Sequence, residues 1–487
     1  MAPAAAGAAQ AAEHAPSASA APGDHKADGL ILAVACVAQF MVVLDVSIVN
    51  VALPSIGHDL HYSATGLQWV VNAYVLTFAG FLLLGGRLAD LLGRRRVFIG
   101  GLLLFSLASL LGGLAQNSGE LTAARAVQGL GGAVLSPATL TIIMTTFTEG
   151  EARHRALGAW GAVAGLGGAF GVILGGILTS ELSWRWVLYV NIPIGLAAMV
   201  AAMVVLSERR RPDAEHSLDI SGSILATGGL ALAVYAIVGT DVHPWGSART
   251  VWLLVAAAII LVAFVASQTR VKAPLMPLGL FRNRNVSAAN LTMLLLGVAF
   301  FSMWYFLSLY LQDVKGHSPL RTGLLFLPMS AAIIAGAQTA GRSLGRLGPR
   351  MLILTGLCLA AAGFAWLTQL EASSSYVNGV LGGTLLISYG VGLTFAPLAS
   401  AATTGVHWTQ AGLASGLLNT ARQVGGSLGL AILATIATDH TRHVQHLTGP
   451  LAAEASGFDH AFAGAAIACG VAALAALALP RRTSTPA

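Results

Sequence analysis

Long apolar stretches run through the whole chain, and short polar segments separate them. Each stretch is close to the roughly 20 residues that a helix needs to cross about 30 Å of hydrocarbon. Short alternating segments, which are typical of a membrane β-barrel, are not part of the pattern. The pattern predicts fourteen membrane-spanning helices, at 30–53, 66–86, 97–115, 122–145, 157–179, 187–206, 219–239, 250–268, 286–311, 321–341, 352–370, 378–401, 412–436 and 460–480.

Composition supports an all-α integral membrane protein. Of 487 residues, 56% are hydrophobic and only 9% are charged, whereas a soluble domain carries about 25% charged residues. The three cysteines, Cys36, Cys358 and Cys469, fall inside predicted spans, so no disulfide framework is indicated. Residues 1–28 are rich in Ala and Pro and lack a basic start, which favours a disordered tail over a cleaved signal peptide.

Basic residues indicate how the chain is oriented. With the N-terminus in the cytoplasm, clusters such as 94–96 and 209–211 fall in cytoplasmic loops, while the outer loops hold few basic residues. The positive-inside rule therefore predicts that both termini are cytoplasmic. The same bias explains the net charge of +6, so the basicity does not indicate a nucleic-acid partner.

Two pairs of similar segments indicate an internal repeat. "GRLADLLGRR" (86–95) resembles "GRSLGRLGPR" (341–350), and "GGAFG" (167–171) resembles "GGSLG" (425–429), at nearly the same offset. Repeats of helical bundles are typical of secondary transporters, which bind substrate between the halves. The predicted organisation is a tail at 1–28, a six-helix bundle at 29–206, a linker with two inserted helices at 207–284, a second six-helix bundle at 285–480 and a tail at 481–487.

Four motifs in order carry a resemblance to a known family. They are "LDVSIVNVALP" (44–54), "GGRLADLLGRRR" (85–96), "RAVQGLGGA" (125–133) and "GLGGAFGVILGG" (165–176). With them the chain resembles the major facilitator superfamily, in its fourteen-helix drug:proton antiporter branch, over residues 30–480. The resemblance implies two six-helix bundles plus two inserted helices. One departure is Val172, where the antiporter motif usually has a proline.

Asp45 and Arg125 are the candidate proton-coupling residues. Asp45 is the one acidic residue in the middle of a predicted span, and a charge there is costly, so it is a candidate for function. The resemblance assigns it proton coupling and places Arg125 nearby. The structural alternatives are an Asp45 hydrogen-bonded to Asn50 or to a backbone carbonyl, and an Arg125 that extends to the membrane interface.

The resemblance also implies residues for gating and for helix packing. The loop between the second and third spans would latch the cytoplasmic side shut, although its arginines also satisfy the positive-inside rule alone. The gating candidates are Gly86, Arg87, Asp90, Gly93, Arg94 and Arg95. Glycines along one face of the fifth span let helices approach closely, and the resemblance makes this face a sliding seam between the halves. The packing candidates are Gly165, Gly168, Gly171 and Gly175.

Polar and aromatic residues inside spans are the candidates for substrate contact. Aromatic side chains suit a hydrophobic cavity, although packing in the core is the more common role. Arg422 lies on one face with Gly425, Gly426 and Gly429, so it contacts either substrate or the interface between repeats. The full set is Gln39, Asn50, Asn72, Gln128, Trp304, Tyr305, Gln338, Asn419 and Arg422.

Enzymatic readings receive little support. The chain has no Gly-rich loop ending in Lys–Ser or Lys–Thr, so direct use of ATP is not indicated. The histidines of "HTRHVQH" (440–446) are expected in a solvated outer loop rather than in a metal site. We expect no metal and no cofactor, with the proton gradient as the energy source.

These observations predict a proton-coupled antiporter in the bacterial cell membrane that exports lipophilic drugs or antibiotics by alternating access. Its partners would be the small-molecule substrate, protons and the lipid bilayer. Two alternatives stay open. The first is an exporter of one endogenous metabolite or lipid with the same mechanism. The second is a membrane sensor or scaffold that transports nothing.

Overall fold

The computed structural model describes residues 25–147, 151–206, 219–271, 274–406 and 411–479. Within these ranges the chain is helical and contains no β-strand. The α-helices are α1 (His25–Asp59), α2 (Trp69–Leu92), α3 (Arg94–Leu114), α4 (Ser118–Thr146), α5 (Glu151–Glu181), α6 (Trp186–Tyr189), α7 (Asn191–Val205), α8 (Ile220–Val238), α9 (Ala248–Gln268), α10 (Arg284–Leu309), α11 (Pro319–Leu325), α12 (Leu327–Leu367), α13 (Gly382–Thr403), α14 (Ala411–Thr448) and α15 (Pro450–Ala476).

Local sequence explains where several helices begin and end. Asn117 caps α4 by accepting a hydrogen bond from the backbone N–H of Glu120, whose carboxylate reaches back to the N–H of Gln116. Gly93, with φ of 92°, separates α2 from α3. Gly348, with φ of 75°, interrupts α12, because glycine adopts this left-handed conformation without steric cost.

The helices have the length and composition of a membrane protein. Eleven candidate membrane spans lie within the described ranges. The longest, Pro319–Leu367, contains the break at Gly348 and so comprises two of the predicted helices. Two predicted helices, 157–179 and 412–436, have no candidate span of their own. They fall within α5 and α14. The prediction of an all-α membrane fold is confirmed, while the count of fourteen stays a prediction.

The two predicted six-helix bundles, 29–206 (the first half) and 285–480 (the second half), repeat one packing scheme. In the first half α1 packs on α5 and α2 packs on α4; in the second half α10 packs on α14 and α12 packs on α13. Helices α8 and α9 pair with each other, and α8 also contacts α2 and α14. Only 11% of the most apolar stretch of α9 is buried, so most of its side chains are exposed. Its outer face is therefore suited to contact lipid.

The halves meet closely at the end of the bundle opposite the start of α1, which we call the far side. There Ser308 donates to the carbonyl of Asn50 at 2.6 Å, and Gln312 donates to the carbonyl of Val51 at 2.8 Å. The backbone N–H of Leu320 donates to Ser180 Oγ at 3.1 Å. These contacts join α1 and α5 of the first half to the second half, so the far side is closed.

Nearby, two glycines let α5 and α11 touch backbone to backbone. A Cβ at Gly323 would overlap the carbonyl of Val172, and one at Gly176 would lie 2.7 Å from the Cα of Leu320. At both positions the Cβ would lie closer to the neighbouring backbone than real Cβ atoms do. Small residues at these two positions therefore permit the closure of the far side.

Candidate functional site

The carboxylate of Asp45 lies in the centre of the first half and is fully buried. It belongs to α1, whose apolar residues Leu44, Ile48 and Val49 are also buried. An ionised carboxylate at such a position needs partners that replace its hydration.

Three side chains from two other helices supply these partners. Arg125 Nη1 of α4 lies 2.6 Å from Asp45 Oδ2, which makes an ion pair. Gln128 Nε2, one turn along α4, donates to Asp45 Oδ1 at 2.7 Å. Asn191 Nδ2, the first residue of α7, donates to the same oxygen at 2.8 Å. All three donors are buried.

A second set of contacts orients these donors. Arg125 Nε donates to the carbonyl of Val70 at 3.0 Å, and its guanidinium lies 4.5 Å from the centre of the Tyr74 ring. Ser109 Oγ of α3 accepts from Gln128 at 2.6 Å and from Asn191 at 3.3 Å. We call Asp45, Ser109, Arg125, Gln128 and Asn191 the carboxylate cluster. It joins α1, α3, α4 and α7.

Glycines of α4 allow this arrangement. A Cβ at Gly129 would overlap the carbonyl of Tyr74, and one at Gly132 would lie 2.9 Å from the Tyr74 hydroxyl. Helix α2 can therefore approach α4 closely enough for the Val70 carbonyl and the Tyr74 ring to reach Arg125. The face of α4 that carries Arg125 and Gln128 is thus also its contact face with α2.

The cluster holds a negative and a positive charge in direct contact, and both are buried. Buried charges inside a membrane are costly, and they are typical of functional sites. The ion pair joins α1 to α4.

Sequence reasoning placed Asp45, Arg125 and Gln128 among the candidates, but it omitted Asn191 and Ser109. Asn191 interrupts an apolar span in the segment "SWRWVLYVNIPIG", which was the same signal that drew attention to Asp45. The alternative partner of Asp45, Asn50, instead donates to the carbonyl of Val46 on its own helix.

Acidic residues other than Asp45 also lie within the described spans, whereas the prediction for Asp45 concerned the middle of a span. Helix α10 continues as a π-helix to Val314, so it carries Asp313. Helix α15 begins at Pro450 and so carries Glu454 and Asp459. Asp313 and Glu454 lie near the ends of these spans, and Asp459 is the tenth residue of α15. All three fall within helices because the helices extend beyond the apolar stretches from which the spans were predicted.

The gating candidates lie around the junction of α2 and α3. The basic residues predict that this end of the bundle is cytoplasmic. The side chains of Arg87 and Asp90 lie outside the described residues. Arg95 Nη2 donates to the carbonyl of Met203 at 2.6 Å, so it ties α3 to the end of α7 within the first half. Arg94 and Arg95 also line a cavity together with Asp28 of α1. A Cβ at Gly86 would make an ordinary contact with Pro137.

The glycine face of α5 differs in detail from the prediction. Gly171 and Gly175 press against the backbone of α1, as does Gly167, whose carbonyl accepts from Ser47 Oγ at 3.1 Å. A Cβ at Gly168 would meet open space, so Gly168 does not belong to this contact. The surroundings of Gly165 lie outside what the structure describes. Gly167, Gly171 and Gly175 face α1 of the same half, and Gly176 faces the other half among the α5 glycines that the structure describes.

Several candidates for substrate contact are engaged within the protein. Asn72 Oδ1 accepts from Ser427 across the two halves at 3.0 Å. Gln39 Oε1 lies 3.4 Å from Ser136 Oγ. Tyr305 is 1% exposed, and its ring packs against a neighbouring phenylalanine of α10. Gln338 of α12 is exposed.

The remaining candidates form one group in the second half. Arg422 donates from Nη2 to Asn419 Oδ1 at 2.7 Å, and its guanidinium lies 5.8 Å from the centre of the Phe395 ring. The Trp304 ring lies 6.5 Å from Phe300, whose ring lies 5.7 Å from that of Phe395. The structure therefore brings together Trp304, Asn419 and Arg422. They lie on α10 and α14, whereas the carboxylate cluster belongs to α1, α3, α4 and α7.

The histidines of 440–446 do not lie in a loop, because α14 continues to Thr448. His440 stacks on His460 of α15 with ring centres 3.7 Å apart. Among the described residues, no group of three or more His, Cys, Asp or Glu side chains is arranged to hold a metal ion.

Comparison with known proteins identifies the class. The family model of the Major Facilitator Superfamily matches residues 35–430. The chain therefore belongs to the Major Facilitator Superfamily, and it is a multi-pass transporter of the cell membrane rather than an enzyme.

Curated relatives extend the similarity over most of the chain. The chain is 45% identical to the cephamycin export protein CmcT of Amycolatopsis lactamdurans, over 90% of this chain and 89% of the relative. It is 44% identical to the puromycin resistance protein pur8 of Streptomyces alboniger, over 92% and 90% of the two chains.

Among solved structures, the fold matches a bacterial homologue of the human lysosomal transporter Spinster with a TM-score of 0.65. The match covers 96% of this chain and 100% of that one, at 15% sequence identity. This likeness shows the fold alone, and it agrees with the all-α architecture described above.

Proposed function

We propose that the protein exports lipophilic small molecules, drugs or antibiotics, out of the cell in exchange for protons. The observation that carries the proposal is the fully buried ion pair between Asp45 and Arg125. Two relatives that align over nearly their whole length are a cephamycin export protein and a puromycin resistance protein, which supports an antibiotic as the substrate.

The chemistry of the carboxylate cluster supports proton coupling as part of this proposal. In the outward-facing state Asp45 binds a proton from outside, which removes its charge and weakens its attraction to Arg125. In the inward-facing state the proton leaves to the cytoplasm, and the ion pair with its donors Gln128 and Asn191 forms again. The proton gradient is the energy source, and no other cofactor is part of this mechanism.

Alternating access would use the two predicted bundles, 29–206 and 285–480, and the linker at 207–284 that joins them. With both termini in the cytoplasm, as the basic loops predict, the closed far side is the outer side of the membrane. The contacts of Ser308 and Gln312 with α1 then belong to an inward-facing state. The α5–α11 contact at Gly176 and Gly323 would have to separate for the outward-facing state to form.

Gating would use the cytoplasmic ends of the same helices. Gly86, Arg87, Asp90, Gly93, Arg94 and Arg95 would hold this side shut when the far side opens. The bond from Arg95 to the carbonyl of Met203 joins α3 to α7, and α7 also supplies Asn191 to the carboxylate cluster. A change in the cluster can therefore reach the cytoplasmic end through α7.

The test is substrate-driven proton movement in proteoliposomes that contain a pH-sensitive dye. Puromycin, a cephalosporin and an unrelated lipophilic cation are added to the wild type, to Asp45→Asn and to the control Asp59→Asn. Asp59 is an acidic residue at the far end of α1, with a half-exposed side chain. We expect proton movement with the wild type and the control, and none with Asp45→Asn.

Three results would contradict parts of the proposal. Equal proton movement in Asp45→Asn and wild type would show that the carboxylate is structural. If none of the tested compounds drives proton movement, although the protein is folded, the result would favour a sensor or scaffold. Movement with one compound class alone would favour a narrow exporter of one metabolite or lipid over a drug exporter.

A further inference from the structure

Arg422 differs from Arg125, the arginine of the carboxylate cluster. Arg125 is 2% exposed and is paired with a carboxylate, whereas Arg422 makes no ion pair with any described residue. Its Nε and Nη2 atoms both donate to one neutral acceptor, Asn419 Oδ1, at 3.3 and 2.7 Å. The positive charge of Arg422 is thus oriented by Asn419 but is not neutralised.

The guanidinium also has unused donors. An arginine side chain offers five N–H groups in a planar fork, and the described contacts with Asn419 use one from Nε and one from Nη2. A cation within a membrane span faces the interior of the bundle or a water-filled cavity, and it typically marks a substrate pathway. Arg422 is half-buried, whereas Arg125 is 2% exposed.

The neighbouring backbone explains the direction of this side chain. A Cβ at Gly297 of α10 would overlap the carbonyl of Arg422, and Gly425 and Gly426 also press against α10. The glycine face of α14 is therefore occupied by α10. The guanidinium extends towards Phe395 of α13, 5.8 Å from its ring centre.

Beside Arg422 an aromatic wall runs along α10. The Phe395 ring lies 5.7 Å from Phe300, Phe300 lies 6.5 Å from Trp304, and Trp304 lies 5.2 Å from Phe326, all as edge-to-face pairs. Phe300 and Trp304 are four residues apart and share a face of α10. Phe300, Trp304 and Phe395 are half-buried, while Phe326 is fully buried behind them.

We propose that Arg422 and this aromatic wall bind the carboxylate and the apolar body of a lipophilic organic anion. A carboxylate matches the planar fork of arginine and would supply the missing negative charge. Aromatic side chains supply an apolar surface for a flat ring system. This inference rests on the proposed function, because it names one chemical class among the exported substrates.

Equilibrium dialysis of the purified full-length protein in a neutral detergent tests the site without transport. The probes are 1-naphthoate and the uncharged 1-naphthamide, which share the ring and differ in the carboxylate. We expect Arg422→Gln to weaken naphthoate binding at least tenfold and to leave naphthamide binding unchanged. Arg422→Lys, which keeps the charge but not the fork, should fall between Arg422→Gln and the wild type. Arg249→Gln, which removes an arginine at the start of α9 outside the site, should bind both probes as the wild type does.

Two dialysis results would overturn the proposal. One is an equal loss of both probes in Arg422→Gln together with wild-type binding in Arg422→Lys, since a structural cation would produce it. The other is unchanged naphthoate binding in Arg422→Gln. The result is distinguishable from failure of the proposed function, because dialysis does not depend on protons. If export occurs, Arg422→Gln should lose naphthoate efflux and retain puromycin efflux with its proton movement.

Discussion

The carboxylate cluster predicts that its two charged residues differ in what their loss costs. Asp45→Asn keeps the size of the side chain and removes the negative charge, while Arg125→Leu removes the positive charge. A guanidinium stays protonated in proteins, whereas a carboxyl can bind a proton and become neutral. Asp45→Asn therefore leaves a buried charge that cannot be neutralised, and Arg125→Leu leaves a group that can.

The structure sets the magnitudes. After Asp45→Asn, Arg125 retains neutral oxygen acceptors, among them the Val70 carbonyl at 3.0 Å, and its burial stays complete. Breaking a buried ion pair at one partner costs about 3–5 kcal/mol, and we expect this loss in the free energy of unfolding. Arg125→Leu should cost about 1–3 kcal/mol, the range for buried polar groups that lose a hydrogen-bond partner. The double variant should be more stable than Asp45→Asn alone.

The assay is SDS-induced unfolding of the purified protein in mixed micelles, followed by tryptophan fluorescence. The control is Asp59→Asn, which removes the ion pair of Asp59 with Arg185 at 3.2 Å, where the side chains are 51% and 30% exposed. A pair this exposed is worth less than about 1 kcal/mol. The reasoning is refuted if the two single variants cost the same and their costs add within about 0.5 kcal/mol in the double variant.

Three further predictions concern helix contacts and the cluster. Gly323→Ala should push α5 and α11 apart, destabilise the closed far side by about 1–3 kcal/mol and raise thiol labelling of a cysteine placed at the far side. Gly341→Ala, which meets open space, should leave labelling unchanged. Gly85→Ala should overlap the backbone of α4 and lower the free energy of unfolding by about 1–3 kcal/mol, while Gly100→Ala, with no neighbour within 4 Å, should not lower it. Asn191→Leu removes a hydrogen bond to a charged group, so it should cost about 1.5–3 kcal/mol in the wild type and clearly less in the presence of Asp45→Asn; an equal cost in both backgrounds would show that the two residues are not coupled.

The amino-acid sequence determined the membrane class of the protein. It also identified Asp45, Arg125 and Gln128, three of the five residues of the carboxylate cluster. The cost of exposing polar groups to hydrocarbon is a property of single segments, so apolar length alone predicts spans. For the same reason one charge in an apolar run identifies Asp45, and the spacing of three residues on one helix places Arg125 with Gln128. The order of four motifs predicted the family that the comparisons then showed.

Other features depend on contacts between segments that are far apart in the chain. Asn191 contacts Asp45 across 146 residues, and no local pattern states which polar residue of a span will face another helix. Gly167 packs on α1 while Gly168 meets open space, because the rotation of α5 is set by its neighbours. The closed far side depends on bonds between α1 and α10 across about 260 residues. The pairing of Arg422 with an aromatic wall on two other helices was likewise decided by the tertiary structure, since helix packing determines which side chains share a surface.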